Sequence, residues 1–204
     1  MSRSVDRSFR QIIAEETQAI CELSEAQLDV LETHFGLLRH WNRRLNLTSV
    51  RNLEDVALHH YCESLFLGSL LPQVPVSIAD VGSGAGFPGF PIAVMRPDCA
   101  VALIESNARK AVFLRESSRN VSNVRVMEGR ASSLAERFDW VVSRAVAWRD
   151  LLPLIPGLAS SVGLLVGEWD AEEILSRKCI AWAEPKRIPW RRRGFALLGR
   201  VACS

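Results

Sequence analysis

The chain has 204 residues, 48% of them apolar and 24% charged, with a net charge of +2. That is the length and apolar content of one domain with its own core, and it excludes a disordered, collagenous or coiled-coil chain. No apolar run approaches the ~20 residues of a bilayer span, residues 1–10 lack the apolar stretch of a secretory signal, and so small a net charge confines any nucleic-acid surface to a local patch.

Residues 1–71 read as a helical extension. Ser24 with Gln27 spells a capping box, and Leu28, Leu31, Phe35, Leu38 and Trp41 follow at helical spacing. Asn52 and Asp55 open another helix, with Val56, Tyr61, Leu65 and Leu70 on its apolar face. Pro72 and Pro75 then punctuate the chain, and residues 72–204 form the second unit.

From Val76 the texture alternates. The spacing predicts strands at Val76–Val81, Cys99–Ile104, Val124–Met127, Trp140–Ser143, Gly163–Val166 and Phe195–Val201. Between them it predicts helices at Phe90–Met95, Asn107–Ser118, Ala131–Glu136, Asp150–Ala159 and Ala171–Ala181. Such alternation predicts an α/β fold, a mainly parallel sheet with helices on both faces. Arg191–Arg193, closed by Gly194, reads as a loop tip before the last strand.

The five cysteines are scattered, with no metal-ligand spacing. They read as reduced thiols in a cytoplasmic protein that holds no metal. Of the 25 basic residues only Lys110, Lys178 and Lys186 are lysines. An arginine excess suits phosphate recognition, since the guanidinium fork pairs bidentately with phosphate, although a GC-rich genome produces the same bias.

The loop Asp80-Val-Gly82-Ser-Gly84-Ala-Gly86-Phe87-Pro88-Gly89 follows the first strand of the alternating region. Ligands of open α/β sheets sit at the carboxyl ends of strands, so this loop stands where a cofactor binds. Two frames compete. Gly84, Gly86 and Gly89 spell the dinucleotide fingerprint, but Gly82 already ends the strand and Pro88 removes a donor N–H. The other frame, Asp80 and then Gly82, Gly84 and Gly86, resembles the first motif of class I S-adenosylmethionine-dependent methyltransferases. Glu105 ends the next strand, where a carboxylate can accept from both hydroxyls of a ribose; either cofactor class uses that device.

The end of the fourth strand bears on the methyl acceptor. Ser143-Arg144-Ala145-Val146 is not the tetrapeptide used to free an exocyclic amine, and no cysteine nucleophile lies near it. A ring nitrogen such as guanine N7 fits: its in-plane lone pair needs no general base, only positioning and electrostatics.

Several segments together resemble the RsmG (GidB) family of 16S ribosomal RNA guanine-N7 methyltransferases. They are Trp41-Asn-Arg-Arg-Leu-Asn-Leu-Thr-Ser-Val-Arg51, His60 with Glu63-Ser64-Leu65, and the loop Asp80–Gly89 with Pro91 and Arg96-Pro97. Further on come Glu105-Ser106, Arg109-Lys110, Phe113-Leu-Arg115 and Ser143-Arg144-Ala145, so the likeness runs from Leu28 to Gly167. It implies a Rossmann-like class I methyltransferase core that binds S-adenosylmethionine. Gly82, Gly84 and Gly86 would form the cofactor loop with Phe87 beside the ligand, Glu105 would hold the ribose, Ala131 and Ser132 would meet the adenine, and Arg144 would lie by the methionine end and the reacting atoms.

Three departures stand out: glutamate for the usual aspartate at 105, serine for an acid at 132, and Val166-Gly167 where the family often has Lys-Gly. The partner implied is 16S rRNA or the small ribosomal particle, met by a monomer with no membrane contact. A second reading is a methyltransferase-like RNA- or ribosome-binding protein that has lost its activity.

Arg43, Arg44 and Arg51, with Arg39 nearby, cluster around one helix end, read as a phosphate patch rather than a solvated basic face because Arg96 and Arg191–Arg193 add further basic sites; Arg43, Arg44, Arg51 and Arg96 are the candidate RNA contacts. Trp41 and Trp140 read as core. Trp148 could either stack on a displaced base or cap the surface. His60 reads as a packed helix residue, with no acid or thiol partner evident at suitable spacing.

Overall fold

The computed structural model describes residues 7–202. Three helical segments come first: α1 (Phe9–Thr17), α2 (Glu25–Leu45) and α3 (residues 53–69). Ser24 and Gln27 form both bonds of the expected capping box, and Leu28, Leu31, Phe35 and Leu38 are buried. Ahead of it, Ser8 and Gln11 close an identical box at the start of α1. Asn52 caps α3 through the Asp55 N–H. The middle of α3, Ala57–Cys62, is π-helical, a local widening often found at functional positions.

The sheet follows. Its strands are β1 (Ser77–Val81), β2 (Ala100–Glu105), β3 (Val124–Glu128), β4 (Phe138–Arg144), β5 (Ala159–Gly167), β6 (Ile180–Trp182), β7 (Lys186–Arg187) and β8 (Gly194–Val201). Their order is β3-β2-β1-β4-β5-β8-β6, with β7 also paired to β8. β1 to β5 run parallel, and β8 lies antiparallel between β5 and β6. The connecting helices are α4 (Gly89–Met95), α5 (Ala108–Ser117), α6 (residues 148–158) and α7 (Glu168–Leu175).

Side chains along a strand alternate between faces, and two core clusters result. Ile78, Val101, Leu103, Trp140 and Val142 pack beneath the N-terminal helices with Phe35, Tyr61 and Phe90. Ala79, Ala102, Ile104 and Val141 pack on the other face with Trp148, Ile155 and Ile174. Trp41 is half-buried against Phe113, and Trp140 is buried.

Three expected helices change. Ala131–Glu136 shrinks to one 3-10 turn, Ala131–Ser133. Asp150–Ala159 becomes the broken α6, starting at Trp148 and interrupted at Leu152–Leu154 by Pro153 and Pro156, with Ala159 already in β5. Ala171–Ala181 ends at Leu175, and Ile180–Trp182 is a strand on β8.

Strand order reverses at β1, which has β2 on one side and β4 on the other. The segments leaving β1 and β4 therefore diverge, and a crevice opens at their carboxyl ends.

Candidate active site

The glycine loop lines that crevice. Gly84 has φ +55°, and a Cβ built on it would meet only Gly82 O at 3.8 Å, so this residue faces open space. Gly86 differs: its Cβ would press on Phe90 Cβ at 3.1 Å and His34 Nε2 at 3.3 Å, inside the protein. Asp80 does not face the crevice either. Fully buried, it turns beneath the loop and accepts the Gly89 N–H at 3.0 Å. Its Oδ1 has no partner. Burial, with Glu105 nearby as a lesser cause, pushes its carboxyl up to about 7.

Glu105 closes the second side. Its Oε2 accepts the Gly84 N–H at 2.9 Å and its Oε1 the Asn107 N–H at 2.7 Å. A carboxylate has about four acceptor sites, so two remain for a ligand.

Arg144, the last residue of β4, closes the third side, and Ala145 after it turns the chain at φ +61°. One guanidinium nitrogen donates to His60 Nδ1 at 2.7 Å. A guanidinium only donates, so Nδ1 accepts and the imidazole proton sits on Nε2. That nitrogen donates to Thr48 Oγ1 at 2.7 Å. The Asn42 amide in turn clasps the Thr48 backbone N–H and C=O, each at 2.9 Å. Burial first, and the Arg144 cation second, hold His60 down to about 3. Phe87 stacks on the His60 ring with centroids 4.9 Å apart.

Behind Arg144 lies Glu63, wholly buried. His59 Nδ1 approaches its Oε1 at 3.3 Å. Its Oε2 lacks a hydrogen bond and faces the guanidinium groups of Arg144 at 3.6 Å and Arg191 at 3.9 Å.

A cleft of about 440 Å³ joins Gly82, Gly84, Phe87, Glu105, Lys110 and Arg144, with Thr48 and His60 on its wall. Five residues singled out in the sequence thus meet in one space. Gly86 lies behind the loop and is not among the lining residues. Ala131 and Ser132 sit past the end of β3, Ala131 buried and Ser132 exposed, and neither lines the cleft. Arg144 also borders a second, smaller cleft of about 180 Å³, whose walls include Trp148, Val166, Gly167 and Arg191.

Arg39, Arg43 and Arg51 line a third cleft of about 400 Å³ with His40, and Arg44 is exposed beside it. Among the described residues none of these arginines lies within ion-pair distance of a carboxylate, whereas Arg7 and Arg10 are fully paired. Thr48 and Val50 line both this cleft and the one beside the glycine loop.

Arg96 is a correction. It is 8% exposed and donates to Asp98 at 3.0 and 2.9 Å and to the carbonyls of Pro72 and Val74 at 2.9 Å. Its guanidinium ties the entry to β1 and adds nothing to a basic surface. Trp148 is packed as well, 7% exposed between the guanidinium groups of Arg149 and Arg177, and is not free to stack on a base.

The sequence alone assigns no site role to Thr48, Glu63 and Lys110, only an added basic charge to Arg191, and only packing to His60. Thr48, His60 and Glu63 lie in segments that carry the family likeness, but no local spacing reveals that the helical extension reaches the sheet edge. Arg191 comes from a turn far along the chain.

Comparison with known proteins agrees with this geometry. The sequence model of the GidB family, described as rRNA small subunit methyltransferase G, matches residues 27–178. A ribosomal RNA small subunit methyltransferase G of Neisseria gonorrhoeae is 40% identical over 131 residues, 62% of this chain and 62% of that one. A protein of the same name from Halorhodospira halophila is 42% identical over 139 residues, covering 67% and 65%. The chain thus spans less than two thirds of the length of these curated relatives. Among solved structures, magnesium protoporphyrin IX methyltransferase of Synechocystis, with bound S-adenosylmethionine, superposes with a TM-score of 0.59 at 15% identity, over 83% of this chain and 97% of that one. That likeness is one of fold, and the fold is that of class I methyltransferases.

Proposed function

The chain belongs to the rRNA small subunit methyltransferase G (GidB) family, and from that premise we propose that it transfers the methyl group of S-adenosylmethionine to N7 of a guanine in 16S rRNA of the small subunit. The observation that carries this reading is the meeting of Gly82, Gly84, Phe87, Glu105 and Arg144 around one cleft at the carboxyl ends of β1, β2 and β4.

The residues present fit the cofactor. Gly84 leaves open the space that a side chain would fill. Glu105, steadied by two backbone donors, keeps lone pairs for both ribose hydroxyls. Gly84 lets the backbone come close, Gly82 turns the chain at φ +73° where any side chain would collide with Val146, and Phe87 packs beside the ligand. Gly86 supports the loop from behind, and Ala131 and Ser132 lie beyond Glu105 on the side proposed for the adenine.

When bound, S-adenosylmethionine supplies an electrophilic methyl group, which a ring nitrogen accepts through its lone pair without losing a proton. The protein therefore needs no general base at the acceptor. Its task is to hold the base in line and to manage charge. Arg144 serves this from between the two clefts. A cation directly against N7 would oppose the positive charge arriving on guanine, so Arg144 holds an acceptor group instead: the guanine O6, a phosphate or the methionine carboxylate. His60 keeps the guanidinium in place. Arg43, Arg44 and Arg51, unpaired around the third cleft, meet RNA phosphates.

The test is calorimetry with S-adenosylhomocysteine against NAD, together with methyl transfer to small-subunit RNA and mapping of the product base. Selective binding of S-adenosylhomocysteine with 7-methylguanine formation is expected. NAD binding would overturn the cofactor assignment, and binding without transfer would favour an RNA-binding protein that has lost its activity.

A further inference from the structure

We propose that Arg191 anchors a phosphate of the acceptor nucleotide, reaching from the turn before β8 to the carboxyl end of β5. This rests on the function proposed above.

Two glycines make this reach possible. Gly167 ends β5, Gly194 opens β8, and they face each other in the antiparallel register. Neither carries a side chain, and the Arg191 stem lies over this bare pair. A Cβ on Gly194 would stand 2.5 Å from Arg191 Cδ and 2.8 Å from its Cγ. A Cβ on Gly167 would stand 4.0 Å from an Arg191 guanidinium nitrogen. The platform lets the stem cross from β8 to the end of β5, where it borders the small cleft with Arg144, Val166 and Gly167.

Arg191 and Arg144 stand on the same buried Glu63 oxygen, which has no hydrogen bond of its own. Glu63 is the one carboxylate within ion-pair distance of either guanidinium among the described residues, so the two cations share a single counter-charge; Asp170, exposed on the same cleft, pairs with neither. The two arginines also differ in depth. The Arg144 side chain is 17% exposed and that of Arg191 39%. The deeper cation is placed for the base and cofactor, and the outer one for the nucleotide's backbone, where a guanidinium pairs well with phosphate. The end of β5 itself offers only Val166, with no cation. Arg191 supplies one from another element.

Three variants test this: Arg191→Ala, Arg191→Lys, and Arg191→Ala combined with Val166→Lys. The turn survives alanine, because its bonds from Arg191 N–H to Ile188 O and from Gly194 N–H to Arg191 O are backbone bonds. The readouts are S-adenosylhomocysteine affinity, kcat and KM for small-subunit RNA, and the salt dependence of RNA binding. Arg191→Ala should leave cofactor affinity unchanged, lower kcat/KM at least tenfold, and reduce the salt slope by about one phosphate contact. Arg191→Lys should keep the slope, since it keeps the charge. Val166→Lys should restore slope and kcat/KM to the alanine variant, a rescue that a purely structural role for Arg191 would not permit. A wild-type slope and kcat/KM in Arg191→Ala would overturn the proposal, as would failure of Val166→Lys to restore either. A wild-type protein that neither binds S-adenosylhomocysteine nor methylates RNA is a different result, visible before any substitution, and it removes the function on which the proposal rests.

Discussion

Arg144 donates to Nδ1 of His60 at 2.7 Å and thereby decides which nitrogen of the imidazole carries the proton. A strand-end cation is fixed by a histidine from the helical extension, which is itself fixed by Thr48 and Asn42.

That relay gives the first prediction. Asparagine at 60 offers an oxygen near the place of Nδ1, whereas glutamine reaches toward the place of Nε2. His60→Asn should retain most of the transfer rate, and His60→Gln should lose roughly tenfold, or ~1.4 kcal/mol of transition-state stabilisation. With His60 held down to about 3, no ionisation of this group should appear in the rate between pH 5 and 8. Single-turnover kinetics across that range check both points, and equal losses in the two variants would detach His60 from Arg144.

Gly84 and Gly89 should respond differently to substitution. Gly84→Ala puts its Cβ into open cleft, at the cost of about 1–2 kcal/mol for a left-handed alanine. The variant should fold and lose S-adenosylhomocysteine affinity, and Gly84→Val should abolish binding. A Cβ on Gly89 would lie 2.6 Å from both Asp80 Cβ and Leu103 Cδ2, so Gly89→Ala should fail to fold stably. Thermal melts and calorimetry separate the two; unchanged cofactor affinity in folded Gly84→Val would remove the loop from the site.

The buried acid beneath the loop predicts a pH effect on stability. Asp80 rises from 3.8 to about 7 on folding, so between those pH values the native state holds more protons and this group's contribution falls as pH rises. His34 and His60 act oppositely: burial lowers each from 6.5 to about 3, and their contribution rises with pH over that interval. Asp80→Asn removes only the falling part. Relative to the wild type, the variant should gain more stability at pH 7.5 than at pH 4, measured by urea unfolding. A difference independent of pH would show that Asp80 titrates as it does when unfolded.

Arg96 and the Arg43–Arg44 pair should separate stability from RNA binding. Arg96→Ala removes the guanidinium that ties Asp98 to the carbonyls of Pro72 and Val74, and should lower the melting temperature with no change in the salt slope of RNA binding. Arg43→Ala with Arg44→Ala should leave the melting temperature nearly unchanged and flatten that slope by up to about two phosphate contacts. An unaltered slope in the double variant would leave these residues as a solvated helix end.

Much of this was legible in the sequence because it is local. Strands β1 to β5 and β8 announce themselves by short apolar runs, and the loop by its glycines and the acid ending β2. The losses have physical causes. Pro153 and Pro156 break a helix that the apolar pattern alone would continue. Arg96 reads as basic surface until Asp98, two residues on, and the turn at Pro72 fold around it. His60, Glu63 and Arg191 join the site only through tertiary packing, and no spacing along the chain reports that a helix and a distant turn meet at the end of β4.

The place of β8 in the sheet bears on how the chain comes to be made. β5 leaves the ribosome with one flank bare, although Val162, Leu164 and Leu165 are as apolar as any buried strand. Its partner on that side, β8, is translated only after α7, β6 and β7, and must then insert between β5 and β6. Through that interval the nascent protein displays an adhesive strand edge that the finished protein conceals. A stop codon anywhere before Gly194 would make the exposure permanent, so late truncations should turn up in inclusion bodies rather than as weak enzymes.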